Sequence, residues 1–129
     1  MWTYFCYDNE KEESLWHVWY AARDDDTKAS HDYAFEYLEP RENREWYNTP
    51  HFGPLVPKKG IYEIRLPGKL KWRLAGYFGP GVKQFTIVLI CNHKGQIYDP
   101  PDSKKTAVKR KSQIESGKRK RKQCVRPTG

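Results

Sequence analysis

Arg65, Arg73, His93, Lys94 and Tyr98 are the side chains of this sequence whose types suit chemistry on a phosphodiester. Cutting an RNA linkage without a metal requires a 2′-hydroxyl to lose its proton, the added charge of a phosphorane-like transition state to be stabilised, and the departing 5′-oxygen to be protonated. An arginine fork suits the second task, because it donates two hydrogen bonds to phosphate oxygens and stays charged at every relevant pH. Arg73 and Arg65 are the candidates. His93 is the candidate for proton transfer, since imidazole titrates near neutrality, with a solvated strand-end histidine as the plain alternative. Lys94, whose reference pKa is far above 7, suits phosphate binding better than proton transfer. Tyr98 stacks a base, orients the attacking hydroxyl, or only packs over the helix that follows. Glu63 stands two residues before Arg65 on the same side of a strand, and either orients that arginine or acts as a base.

Charge is divided unevenly along the chain. From Met1 to Pro57 there are 5 Lys and Arg against 12 Asp and Glu, a balance of −7, whereas from Lys58 to Gly129 there are 19 against 4, a balance of +15. So basic a surface raises the local concentration of phosphate and releases condensed counterions on binding, so a polyanion is the expected partner of the second half. Lys69, Lys71, Lys104, Lys105, Lys109 and Arg110 join Lys94 as the expected phosphate contacts, and the run from Lys118 to Lys122 extends them. A solubilising tail is the alternative for that run.

Composition bounds the platform that must carry these groups. At 129 residues the chain fits one small domain, assigned to 1–117, and a basic tail over 118–129 that cannot bury enough apolar surface to order itself when free. Aromatic residues make up 15% of the sequence and supply large buried areas per side chain, which argues against general disorder. Cys6, Cys91 and Cys124 are widely separated and odd in number, which suggests neither a disulfide framework nor a zinc site. His17 and His31 lack partner ligands at metal spacing and read as surface or packing residues, and no cofactor is expected. No apolar stretch approaches bilayer length and no secretion signal opens the chain, so no membrane partner and a cytoplasmic location are expected.

Periodicity then places the elements. Trp2 to Tyr7 reads as a strand. A first helix, with Glu12 and Glu13 at its N-terminus, buries Leu15, Val18, Trp19 and Ala22 and ends near Arg23. A second, from Lys28 to Leu38, carries Ala29, Tyr33 and Tyr37 on one stripe with Ala34 and Leu38 beside it, and stops at Pro40. A loop with His51, Phe52, Gly53 and Leu55 leads to three strands, marked by Ile61, Ile64 and Leu66, by Leu70, Trp72 and Leu74, and by the run Phe85 to Ile90. The turn at Pro67-Gly68 makes consecutive antiparallel pairing the simplest topology, and it lets Arg65 and Arg73 project from one sheet face. Pro100-Pro101 closes the sheet before a short helix containing Ala107, Val108 and Ile114.

The segment from Gly60 to Arg65, Trp72-Arg73-Leu74, the strand ending Cys91-Asn92-His93-Lys94, and the helix with Ala107 and Arg110 together resemble the RelE/HigB superfamily of toxins, most nearly its phage-derived HigB-like branch. Glu45-Trp46, Pro50, Phe52 and Leu55 fit the same branch. The resemblance implies an α+β fold, RelE-like, with two N-terminal helices packed on a small antiparallel sheet and a short C-terminal helix. It implies a type II toxin that acts as a metal-independent endoribonuclease on messenger RNA in the ribosomal A site, contacting ribosomal RNA and neutralised by a cognate antitoxin, a helix-turn-helix protein. Arg73 matches the strongest strand arginine of that family, Arg65 a usually basic position, and His93-Lys94 its second basic cluster. A catalytically inactive RNA- or partner-binding protein of the same kind is the alternative, and a relative that poisons gyrase is a third reading.

Overall fold

Ser14 and Asp24 each accept a hydrogen bond from the backbone three residues on, and these two caps start the first two helices. A computed structural model describes residues 1–9, 11, 14–95 and 97–125. In chain order the elements are β1 (Thr3–Tyr7), α1 (Leu15–Ala21), α2 (Asp25–Leu38), α3 (Asn43–Trp46), β2 (Phe52–Val56), β3 (Ile61–Arg65), β4 (Trp72–Phe78), β5 (Gln84–Lys94), β6 (Ile97–Asp99), α4 (Ser103–Glu115) and β7 (Arg121–Gln123). Glu12 and Glu13, expected at the first helix start, lie outside the described residues, as do 126–129 of the expected tail.

The expected small antiparallel sheet under two N-terminal helices is not what forms. Among the described residues the sheet has seven strands in the order β2-β3-β4-β5-β1-β7, with β6 added to β5, and it is mixed because β1 runs parallel to β5. Among the described residues four α-helices accompany it, and after α2 the strands outnumber the α-helices six to two. The extra strands come from segments whose local signals point elsewhere. Gly53 and Pro54 read as loop residues, yet β2 pairs with β3, with a register shift between Pro54 and Val56. Three-residue β6 and β7 carry too little pattern to announce themselves. Their order comes from their neighbours.

Residues 118–125, expected as an unordered tail, include β7, which pairs antiparallel with β1. Its anchors are specific. Arg121 donates to Thr86 Oγ1 at 3.2 Å and to Gln84 Oε1 at 2.8 Å, and its guanidinium lies 3.8 Å from the Phe5 ring centroid.

Two apolar layers cover the sheet. On one side Trp16, Trp19, Phe35, Leu38 and Trp46 from the helices meet Phe52, Ile64, Leu74, Phe85 and Ile87. On the other, Ala107 of α4 packs with Leu55, Ile61, Ala75, Tyr77 and Cys91, and Val108 and Ile114 join from its margin. Trp19, Ala34 and Leu38 are buried on the expected sides of the two helices, and the rest of each face is rotated. α1 buries Trp16, Trp19 and Tyr20 and leaves Val18 exposed, and α2 buries His31, Ala34, Phe35 and Leu38 and leaves Tyr33 exposed. In α1 the Trp16, Trp19 and Tyr20 rings bury more area than Val18 and win the inward face. His31 is accommodated there because Trp16 Nε1 donates to its Nε2 at 2.9 Å, which leaves Nδ1 to donate to Asp32 at 2.9 Å.

A bulge sets the faces of β5. Ala75 pairs with Leu89 and Gly76 with Ile87, so Val88 is an extra residue with no partner in β4. Phe85 and Ile87 therefore point to the α1/α2 layer, while Leu89 and Cys91 point to the α4 layer. Gly76 permits the close approach, since a Cβ there would stand 2.1 Å from Thr86 O. The displaced Val88 carbonyl is met by Arg110 Nη1 of α4 at 2.9 Å.

Candidate functional site

Adjacent strands bring the predicted catalytic side chains to the α4 face of the sheet. Arg65 and Arg73 are direct cross-strand partners between β3 and β4, Arg73 faces Cys91 of β5, and His93 faces Tyr98 of β6. His93 reaches this face because the bulge at Val88 precedes it. It was expected just past the third strand, but β5 runs on to Lys94 because β6 pairs with its end. Leu70, expected in the second strand, lies exposed in the connection between β3 and β4.

Glu63 is the hub. Its side chain is 1% exposed, against 13% for Arg73 and 37% for Arg65. Arg65 Nε donates to Glu63 Oε2 at 3.1 Å, and Tyr98 donates to Oε1 at 2.5 Å. Arg73 Nε lies 3.0 Å from the same Oε2, but its N–H is turned off the line to the oxygen, so this contact is an ion pair and not a formed hydrogen bond. Arg73 Nη1 donates instead to the Trp72 carbonyl at 3.2 Å. Two guanidiniums thus share one carboxylate, and the trio keeps an excess positive charge.

Burial acts on each group in this cluster. It draws the Arg73 guanidinium below its ordinary value, with Glu63 opposing. Burial, and then the bond to Glu63, push the Tyr98 phenol well above its usual range, so Tyr98 is a donor here and not a base. The Cys91 thiol beneath is pushed up to about 11 by burial, with the Ser103 side chain opposing. The His93 ring stacks on Tyr98 with centroids 4.5 Å apart and planes 17° apart, and it is half-buried.

The position of Arg65 depends on Gly53, which lies in β2 although its local sequence favours a loop. Gly53 of β2 pairs with Glu63, and the Arg65 guanidinium lies over it. An isolated glycine inside a strand is the signal that marks such a close approach. Ser103, at the start of α4, is buried and donates to Pro100 O at 2.5 Å.

The expected phosphate contacts are dispersed. Lys94 is exposed and paired with Asp99 at 3.2 Å. Lys69 and Lys71 lie exposed in the β3–β4 connection, and the Lys71 carbonyl accepts from His93 N at 3.1 Å. Lys104 Nζ is 5.9 Å from the Tyr98 ring centroid, which places the first turn of α4 beside the site, and Lys105 follows it, exposed. Lys109 and Arg110 lie farther along α4, at a separate cavity. His51 is turned away toward α2, its ring 5.4 Å from that of Tyr33 and 5.2 Å from that of Tyr37. Among the described residues, no group of three His, Cys, Asp or Glu side chains is placed to hold a metal ion, and no helix is long and apolar enough to cross a membrane.

No family model, curated protein or solved structure matches the chain.

Proposed function

We propose that this chain is an endoribonuclease that cuts messenger RNA on the ribosome, the toxin of a toxin–antitoxin pair. One observation carries the reading: Arg65 and Arg73 stand side by side on a single buried carboxylate, with positive charge in excess and the His93 imidazole on the same face. In the proposed reaction the 2′-oxygen forms a bond to the adjacent phosphorus as the bond from phosphorus to the 5′-oxygen breaks. The products are a 2′,3′-cyclic phosphate and a free 5′-hydroxyl. The guanidiniums stabilise the extra charge of the transition state, His93 carries one of the two protons, off the 2′-hydroxyl or onto the 5′-oxygen, and solvent water carries the other. Glu63 and Tyr98 hold the arginines and do not touch the substrate. The lysines of α4 dock the RNA, and the cytoplasm, the ribosomal A site and a helix-turn-helix antitoxin complete the setting.

A second reading, an RNA- or partner-binding domain that does not cut, is favoured by the low exposure of Arg73 and its engagement by Glu63 and the Trp72 carbonyl. The two readings separate on induction in growing cells. Primer extension on translated messages should show new breaks that disappear with Arg73→Ala and His93→Ala. Ribosome or RNA binding without breaks would leave the binding domain as the better reading, and double-strand DNA breaks would displace both.

A further inference from the structure

Leu70 is 58% exposed in the connection between β3 and β4, where Lys69 and Lys71 on either side of it are also exposed. A lone exposed leucine is commonplace on a protein surface. This one is held outward. The Leu70 carbonyl accepts from Asn92 Nδ2 at 2.8 Å and the Lys71 carbonyl from His93 N at 3.1 Å, so two consecutive peptide groups are tied to β5. Leu66 N closes the base of the loop on the Trp72 carbonyl at 3.1 Å. Lys71 takes a φ of +48°, a left-handed conformation that is strained for a residue with a Cβ. We propose that Leu70 is a wedge that enters a base step of single-stranded RNA and unstacks it at the linkage to be cut.

The purpose of the wedge rests on the cleavage reading. Attack by a 2′-oxygen needs that oxygen in line with the bond from phosphorus to the 5′-oxygen, and a stacked helical step holds it off that line. Parting two bases frees the linkage to rotate. Leucine suits the task, because an apolar side chain between bases replaces part of their stacking and brings no polar group that needs a partner. The run Lys69-Leu70-Lys71 matches both halves of a nucleotide: the bases meet the leucine and the flanking phosphates meet the two ammonium groups. Arg73 follows three residues on, at most about 10 Å along the chain. Its head turns back toward the loop, with Nη1 on the Trp72 carbonyl at 3.2 Å. His93, whose backbone N–H ties the loop, borders it from β5. A loop fixed before the RNA arrives loses little freedom on binding, so contact with the strand is spent on parting the bases.

The probe is a set of 2′-O-methyl RNA oligonucleotides, which cannot be cut, with 2-aminopurine at successive positions. This base brightens when it unstacks. Each oligonucleotide is titrated with the full chain, both free in solution and as message in the A site of a stalled ribosome. One position should brighten at saturation, and Leu70→Ser should abolish that rise while changing affinity by no more than roughly threefold, since the lysines remain. Leu70→Met should keep the rise, and Lys69→Ala should weaken binding and keep it too. With cleavable RNA, Leu70→Ser should lower kcat roughly tenfold and leave KM nearly unchanged. Brightening that is lost in Leu70→Ser, in a chain that leaves cleavable RNA intact, would support the wedge and remove the cleavage reading. No brightening at any position in either setting, or brightening that survives Leu70→Ser, would overturn the proposal.

Discussion

The guanidinium of Arg65 lies across Gly53 of the neighbouring strand, so close that a Cβ on Gly53 would stand 2.3 Å from Arg65 Cζ. Gly53→Ala therefore displaces the arginine head without removing it. Because the displaced atoms end a flexible side chain, stability should change by no more than about 1 kcal/mol. RNA cleavage should fall roughly 100-fold, as expected when a transition-state contact moves by about 1 Å. Urea unfolding and a cleavage assay on the same preparation check the pair of outcomes. Full activity in the variant would show that the position of Arg65 is immaterial.

Glu63→Gln removes the carboxylate that Arg65 and Arg73 share, at a site that is 1% exposed. The expected loss of stability is about 3 kcal/mol, because two partly buried cations then face each other without a carboxylate. Tyr98→Phe should cost roughly 1–3 kcal/mol, since Glu63 Oε1 loses its donor where water is scarce. Denaturant midpoints at constant m-value measure both. An unchanged midpoint for Glu63→Gln would mean that the arginines are held by something else.

Alkaline pH should loosen the α4 face. The Cys91 thiol titrates near 11 in the fold against 9.0 in the ordinary state, so between these values the unfolded chain has released a proton that the folded chain keeps. Stability falls wherever the unfolded state binds fewer protons. The contribution is thus fully present below pH 9 and is lost as pH rises through 11, a change on the order of 2 kcal/mol. Tyr98, also displaced upward, adds in the same direction at higher pH. Unfolding midpoints measured from pH 8 to 11 should decline, and less steeply in Cys91→Ala. An equal decline in that variant would remove Cys91 as the cause.

Lys104 and Lys105 test docking independently of chemistry. Both are exposed on the first turn of α4, and Lys104 stands beside Tyr98. Replacing either with Ala should weaken binding to single-stranded RNA of any sequence and lower the slope of log affinity against log salt by about 0.7 per charge. The position of cleavage should not change. A variant that keeps its affinity and salt slope would place the RNA elsewhere.

Much of the arginine pair was legible in the residues themselves. Strand period two, with the turn at Pro67-Gly68, brings Arg65 and Arg73 to neighbouring positions on one face, and they are direct cross-strand partners. The pairing of Glu63 with Arg65 follows from the same period. The third strand was legible only as an apolar run, since Phe85 to Ile90 is hydrophobic throughout and carries no alternation to assign its faces. His93 could not be placed from it. The bulge that turns His93 toward the arginines depends on Gly76 across the strand and on Arg110 from α4, both distant in sequence from Val88.

By itself, the sequence determined the charge division, the β3–β4 pairing and the kinds of side chain available for phosphate chemistry, because these depend on composition and on residues a few positions apart. The tertiary structure decided which residues meet. It built a mixed seven-stranded sheet by pairing β1 in parallel with β5, ordered β7 out of a basic run against β1, and laid Arg65 over Gly53. Each of these depends on backbone partners and close approaches between distant segments, and a three-residue strand or a lone glycine carries too little local free energy to announce them.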